Sequence, residues 1–337
     1  MNRFSYARPT TVAEALSEVQ GEAVRFLAGG TNLVDLMREN VARPVKLVDI
    51  NRLPLGDIEE TACGGLRIGA LVPNSDLAWD ERIERRYPLL SSALLAGASP
   101  QLRNAATTGG NLLQRTRCYY FYDVATPCNK REPGSGCQAI GGLTRLHAIL
   151  GASEQCIATH PSDMCVAMQA LDARVHVEGS DGAREIAFED FHRLPGDRPQ
   201  DDTNLKPGEL VTAVELPAER FDTHFTYLKL RDRQSYAFAL VSVAAALRMD
   251  GGTITEARLA LGGVAHKPWR DREAETLLAG KVPSRDAFAE VADAILAQAR
   301  GQGANDFKIP LARRAIIRAL DQAANANPQS QIDKRIA

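Results

Sequence analysis

The chain lacks any long apolar run. Its most hydrophobic stretch, Ala237 to Leu247, is interrupted at Ser242 and is far shorter than the ~20 residues that span a bilayer, so membrane insertion is not expected. No apolar core follows Met1-Asn2-Arg3-Phe4-Ser5-Tyr6, and a secretory signal needs one; the chain reads as carrying no export signal of its own. Charge of one sign is also missing. Forty basic against 42 acidic side chains leave a net charge of −2, too small a field to gather nucleic acid or an anionic membrane surface. Cysteine is scarce and uneven: of six in 337 residues, five (Cys118, Cys128, Cys137, Cys156 and Cys165) fall in one short segment, leaving Cys63 apart. A disulfide-stapled scaffold is small and evenly stitched, so this clustering points to a local metal site instead.

What is present is a chain long enough for two or three domains. Thr11 and Glu14 form a T-x-x-E capping box before a helix with Ala15, Leu16 and Val19. The strand Val24 to Ala28 ends in Gly29-Gly30-Thr31-Asn32, a helix follows with Leu33, Leu36 and Met37, and Val45 to Ile50 reads as the next strand. From Leu66 the pattern changes to short strands, a helix from Leu89 to Leu95, and a second glycine turn, Thr107-Thr108-Gly109-Gly110-Asn111. Residues 112–160 show neither helical nor strand period and read as an insertion held by something other than an apolar core. A helix from Met164 to Leu171, a strand at Arg174 to Val177 and a boundary near Pro217 to Thr223 follow. Beyond them come the strand Phe225 to Leu230, the apolar stretch to Leu247, a hairpin at Asp250-Gly251-Gly252, the strand Ala257 to Leu261, and two closing helices, one capped by Ser284 and one opened by Pro310. The domains are thus expected at 1–220, divided into 1–55 and 56–220, and at 221–325, with residues 326–337 as a mobile polar tail.

A strand that ends in Gly-Gly-Thr-Asn can turn consecutive backbone N–H groups and a hydroxyl toward a phosphate. Alone such a turn is weak, since two glycines often serve geometry only. Two similar turns suit a pyrophosphate held from both sides, while neither matches G-x-G-x-x-G or G-x-x-x-x-G-K-[ST].

Phe26-Leu27-Ala28-Gly29-Gly30-Thr31-Asn32-Leu33, Gln101-Leu102-Arg103-Asn104 leading to Thr107-Thr108-Gly109-Gly110-Asn111, and Pro161-Ser162-Asp163 resemble the FAD-binding medium subunits of the xanthine dehydrogenase, or molybdenum hydroxylase, family. Lys229 to Ala237, Leu261-Gly262-Gly263-Val264-Ala265 and Asn305 to Ala312 resemble that family's C-terminal domain, so the match covers nearly the whole chain. The resemblance implies an α+β fold: a two-part FAD-binding domain of the vanillyl-alcohol-oxidase kind, a small α/β unit plus a mixed α+β unit, then a C-terminal α+β domain like that of carbon monoxide dehydrogenase flavoproteins. It also implies that residues 26–33 and 107–111 wrap the FAD pyrophosphate and ribityl chain, that Asp163 hydrogen-bonds a polar part of the cofactor, and that Lys229 lies near the isoalloxazine, where a positive charge stabilises the anionic reduced flavin. From the sequence alone Lys229 reads equally as a solvated lysine at a strand edge.

Fifty-one residues lie between Asn111 and Asp163, where relatives without a cluster keep the two close. Spacing leaves zinc and iron-sulfur equal, since both accept four thiolates and nothing here is C-x-x-C. The resemblance extends to flavin subunits of periplasmic aldehyde oxidoreductases and hydroxybenzoyl-CoA reductases, which implies a 4Fe-4S cluster on this insertion. Cys118, Cys128, Cys137 and Cys156 are the chosen ligands; Cys165, among apolar neighbours, reads as a buried free thiol. His147, His160 and His266 stand alone in sequence and read as structural. By the same resemblance the molybdenum cofactor belongs to a large subunit and 2Fe-2S clusters to a small one, in a heterotrimer that passes electrons through this chain to an external acceptor. No nucleophile or base constellation marks a substrate site here. A self-contained flavoprotein oxidase and a zinc-stabilised assembly module stand as alternatives. Export rests on a twin-arginine signal of a partner; otherwise the complex is cytoplasmic.

Overall fold

The capping box is where the sequence puts it. In the computed structural model, which describes residues 1–21, 23–218 and 221–331, the Thr11 hydroxyl accepts from the Glu14 N–H and the Glu14 carboxylate from the Thr11 N–H, which starts the helix Val12–Glu18. Ala15 and Val19 of this region pack with Val24 and Val48 of a three-stranded parallel sheet, in which Lys46–Asp49 lies between Ser5–Ala7 and Val24–Leu27.

The next sheet is antiparallel and five-stranded, in the order Ile58–Glu60, Leu66–Gly69, Leu210–Leu216, Arg174–Gly179, Gly182–Ala187. The helix Asp163–Ala170 is buried along its whole length. It packs against the helix Pro88–Ala96 and against two strands of the last sheet.

That last sheet is again antiparallel, with Val241–Asp250 between Phe225–Leu230 and Thr253–Gly262. Its side chains alternate between two cores, as the strand period of two requires. Ala244, Ala246 and Ala260 join the core of the five-stranded unit, whereas Val243, Ala245, Leu247, Leu259 and Leu261 face the helices Arg285–Ile295 and Lys308–Ala324. A strand covered on both faces loses the polar alternation that identifies a half-exposed one, which explains the apolar stretch before Leu247. Gly251 and Gly252 turn the hairpin with φ of +53° and +83°, the sign that a two-residue I′ turn demands at both positions. Gln329 and Gln331 hydrogen-bond Thr226 and the Tyr227 carbonyl; the rest of the expected tail, residues 332–337, lies outside the described residues.

Residues 113–162, all described, hold a single one-turn helix, Tyr119–Tyr122, and no strand. Polar side chains replace the missing ladders. The Asn129 side chain accepts from the N–H of Gly134 and Gly136 and donates to Gln155, and Arg131 donates to the carbonyls of Tyr120 and Phe121.

The last helix anchors this segment. It begins at Lys308, earlier than the expected start at Pro310, and Pro310 sits in its first turn, where a missing N–H costs nothing. The Lys308 amine is fully buried and donates to the carbonyls of His147 and Gly263. Burial pushes this amine down to about 7 from an ordinary 10.5. Between those limits the unfolded chain holds a proton that the folded chain has released, so stability rises with pH, by at most about 1.4 kcal/mol per pH unit. Thermal midpoints from pH 7 to 9 should therefore rise more steeply in the wild type than in Lys308→Met; parallel profiles would contradict the assignment.

Candidate functional site

The strand Val24–Leu27 delivers Gly29 and Gly30 to the mouth of a cleft. Gly29 has no room for a side chain, since a Cβ would lie 1.7 Å from the Ala105 carbonyl oxygen, and Gly30 has φ +73°. Among the described residues none of the backbone N–H groups from Gly29 to Leu33 has a hydrogen-bond partner. Asn32 accepts the Arg115 N–H on its Oδ1 at 3.0 Å, while its buried Nδ2 is also unpartnered. Donors left open in this way, the buried Asn32 Nδ2 among them, offer a site that a ligand anion would satisfy.

These groups line a cleft of about 670 Å³ together with Phe26, Leu27, Ala28, Arg25, Arg43, Arg115, Arg131, Thr107, Gly109 and Gly110. That volume lies in the range of cofactor pockets, roughly 300–1,000 Å³. A row of open donors in a space of this size fits a dinucleotide such as FAD.

The second glycine turn differs from the expectation of a matching nest. Its donors are already used: Thr108 N–H bonds Val72, Gly109 N–H bonds Ala70, Gly110 N–H bonds the Thr107 hydroxyl and Asn111 N–H the Thr107 carbonyl. Thr107 is thus the cap of a short helix, Thr108–Leu112. Gly109 is required by packing, because a Cβ would meet Ala70 at 3.0 Å. Thr107, Gly109 and Gly110 give the cleft a wall, whereas Thr108 and Asn111 do not line it. Asn111 accepts from Ser162 and Gln114 and donates to Asn74, holding the wall to the segment that carries Asp163.

Asp163 and Lys229 lie away from this cleft. They form a buried ion pair at 2.7 Å, with side chains 8 % and 3 % exposed. Asp163 also accepts from the Tyr227 hydroxyl at 2.7 Å, and Lys229 donates to the Ala96 carbonyl. The solvated strand-edge reading of Lys229 is therefore wrong. Asp163 borders a separate cavity of about 20 Å³ shared with Cys118, His147, His160 and Ser162, enough for one water.

The insertion gathers its cysteines. Cys128 and Cys137 face each other across an isolated β-bridge, Cys118 caps the helix Tyr119–Tyr122, and Cys156 turns back on Ser153. The thiols are close enough to repel one another as thiolates, Cys118 with Cys128 and Cys156, and Cys156 with Cys137. Burial pushes Cys118 up to about 12 and Cys156 up to about 11, so without a cation both stay protonated. The Ala158 N–H points at the Cys156 sulfur at 3.4 Å, and His147 Nε2 lies 3.1 Å from that of Cys118; hydrogen bonds to sulfur of this kind tune iron-sulfur centres.

Cys165 is fully buried, pushed up to about 12 by desolvation, and lies beside His160 and His192; Cys63 is exposed. The histidines are less isolated than the sequence suggests, for His147 touches Cys118 and the rings of His160 and His192, tilted 55° to each other, lie 4.3 Å apart. Sequence reasoning passed over Arg115, Lys130 and Asp202. Lys130 is two residues from Cys128 and was findable; Asp202 has no local pattern.

A donor-lined cleft, a two-part N-terminal unit and a sheet-and-helix C-terminal unit define a flavoprotein subunit, and the chain belongs to the FAD-binding medium subunits of the molybdenum hydroxylases. Residues 2–219 match the family model described as the FAD binding domain in molybdopterin dehydrogenase, and residues 225–323 that of the CO dehydrogenase flavoprotein C-terminal domain. The chain is 54 % identical to the aldehyde oxidoreductase FAD-binding subunit of Escherichia coli strain K12, over 96 % of this chain and 99 % of that one. It is 28 % identical to the carbon monoxide dehydrogenase medium chain of Afipia carboxidovorans, over 96 % and 98 % respectively. The solved carbon monoxide dehydrogenase of Hydrogenophaga pseudoflava superimposes with a TM-score of 0.76 at 28 % identity, covering 96 % of this chain and 98 % of that one.

Proposed function

We propose that this chain is the electron outlet of a molybdenum-dependent aldehyde oxidoreductase, holding FAD in the cleft and a 4Fe-4S cluster on Cys118, Cys128, Cys137 and Cys156. When bound, these groups would accept electrons from the 2Fe-2S clusters of a small subunit and release them to an external acceptor, while a large subunit with the molybdenum cofactor oxidises aldehyde to carboxylate. The observation that carries the reading is the row of open N–H groups from Gly29 to Leu33 in a cleft of about 670 Å³. Those donors, with Asn32, would offset the pyrophosphate charge, and Phe26 to Ala28 would give the cofactor an apolar flank. Thr107 to Asn111 form and brace the facing backbone.

Asp163 and Lys229 act as a pair in this reading. Since Asp163 pairs with Lys229 at 2.7 Å outside the lining of the cleft, the field they would put on the flavin is that of a buried dipole, weaker than the bare charge the family resemblance implies. The cluster rests on the convergence of four thiols in a segment that lacks an apolar core of its own, together with the 54 % identity to an aldehyde oxidoreductase subunit.

The visible spectrum of the purified complex, with iron and acid-labile sulfide analysis, tests this. Flavin bands over a broad brown absorbance are expected, with about four iron and four sulfide per chain beyond those of the small subunit. A colourless protein containing zinc would favour an assembly module, and turnover of an alcohol by the isolated chain would favour a self-contained oxidase; either overturns the proposal.

A further inference from the structure

Asp202 lies in the loop between the strands Gly182–Ala187 and Leu210–Leu216, and three side chains reach for its one carboxylate. Arg115 Nε donates to Oδ2 at 2.6 Å, Lys130 Nζ donates to Oδ1 at 2.5 Å, and His266 Nε2 lies 3.3 Å from Oδ1. Arg115 lines the flavin cleft and its backbone N–H fixes Asn32. Lys130, further along the same insertion as Arg115, follows Cys128 by two residues, has a wholly buried side chain and also donates to the Pro199 carbonyl. His266 follows the last sheet and its Nδ1 lies 2.8 Å from the Arg193 carbonyl.

The geometry is that of a three-way junction. Burial opposes a charge on Asp202, but Arg115 and Lys130 outweigh it and hold the carboxyl well below its ordinary range. Removing the carboxylate would leave a buried lysine and a partly buried arginine without their shared counter-charge, and such cations either move toward water or pull water in. Either response separates the cysteine-bearing turn around Lys130 from Arg115 at the cleft.

We propose that Asp202 is a positioning residue that locks the cysteine-bearing turn around Lys130 to Arg115 at the flavin cleft, so that retention of both cofactors depends on a carboxylate that touches neither. The inference rests on the FAD and cluster reading above. Arg115 is its arm toward the flavin and Lys130 its arm toward the cluster.

The test uses the assembled complex with Asp202→Asn, Asp202→Glu, Lys130→Gln and Arg115→Gln, following flavin release, bleaching by an iron chelator and hydrogen exchange across residues 113–162. In Asp202→Asn, flavin release and bleaching should both accelerate by about tenfold or more, the size typical of lost outer-shell support. Lys130→Gln should affect bleaching more than flavin release, Arg115→Gln the reverse, and Asp202→Glu should recover both. An Asp202→Asn complex that changes neither rate, or only one, overturns the proposal. Hydrogen exchange separates this failure from failure of the cofactor reading: a wild type without the extra iron sinks the cluster, yet exchange in 113–162 should still rise in Asp202→Asn while the strand Val241–Asp250 stays protected. Should Asp202→Asn fail to assemble, the two single-arm variants decide, and unchanged exchange in both rejects the lock.

Discussion

Cys128→Ala is expected to remove about four iron and four sulfide per chain from the complex, whereas Cys165→Ala should remove none. The two thiols are both buried, at 7 % and 0 % exposure, so burial alone does not separate them. Their surroundings do. Cys128 pairs with Cys137 across an isolated β-bridge and sits in a small cluster with Leu36, Phe121, Val41, Ala42 and Tyr122, while Cys165 sits in the large continuous core with Met164, Val166, Ala167 and Met168. In the proposed reading, loss of one ligand would expose the cluster to solvent and hydrolysis. It also loosens Leu36, which lines the flavin cleft, so flavin content should fall in Cys128→Ala as a secondary effect. Iron and sulfide analysis beside a flavin count checks all of this. Full iron in Cys128→Ala, or lost iron in Cys165→Ala, would show that the ligand set was chosen wrongly.

The sequence was most legible where structure is local. Thr11 with Glu14, Ser284 with Phe288, Val291 and Ile295, and Gly251-Gly252 each act within a few residues, and the structure has them in those roles. Pairings between distant segments left no such trace. Leu66–Gly69 bonds Leu210–Leu216, and no periodicity within either strand names the other. The candidate site divides along the same line. Gly29-Gly30-Thr31-Asn32 was readable because the strand-to-helix turn creates its own open donors. The equal reading of Thr107 to Asn111 was too generous, since whether an N–H is free depends on Ala70 and Val72 across the fold. Lys229 was ambiguous for a similar reason: only its partner Asp163, from a helix far away in sequence, makes it a buried ion pair. Asp202 was invisible, being one acidic residue in a polar loop whose three partners all lie far from it in sequence.

Gly29→Ala is expected to have the largest effect on the flavin of any single methyl added to the chain. The new Cβ would fall 1.7 Å from the Ala105 carbonyl oxygen and 2.6 Å from its carbon, and both atoms are backbone, so no side-chain rotation relieves the clash. The turn or the end of the helix Pro100–Ala105 must move instead. Overpacking of this kind costs about 1–3 kcal/mol or more, and the displacement falls on the N–H groups from Gly29 to Leu33, whose alignment the anion site requires. A loss of about 2.7 kcal/mol in binding corresponds to a hundredfold weaker dissociation constant, which equilibrium titration of deflavinated complex with FAD would detect. Gly56→Ala is the control, because nothing lies within 4 Å of its built Cβ and its φ is not positive; FAD affinity there should be unchanged. Gly30→Ala should fall between the two, since its penalty is the left-handed φ of +73°, about 1 kcal/mol for a residue with a Cβ. If Gly29→Ala binds FAD as tightly as Gly56→Ala, the open donors do not hold the pyrophosphate, and the cleft must be filled from its other wall.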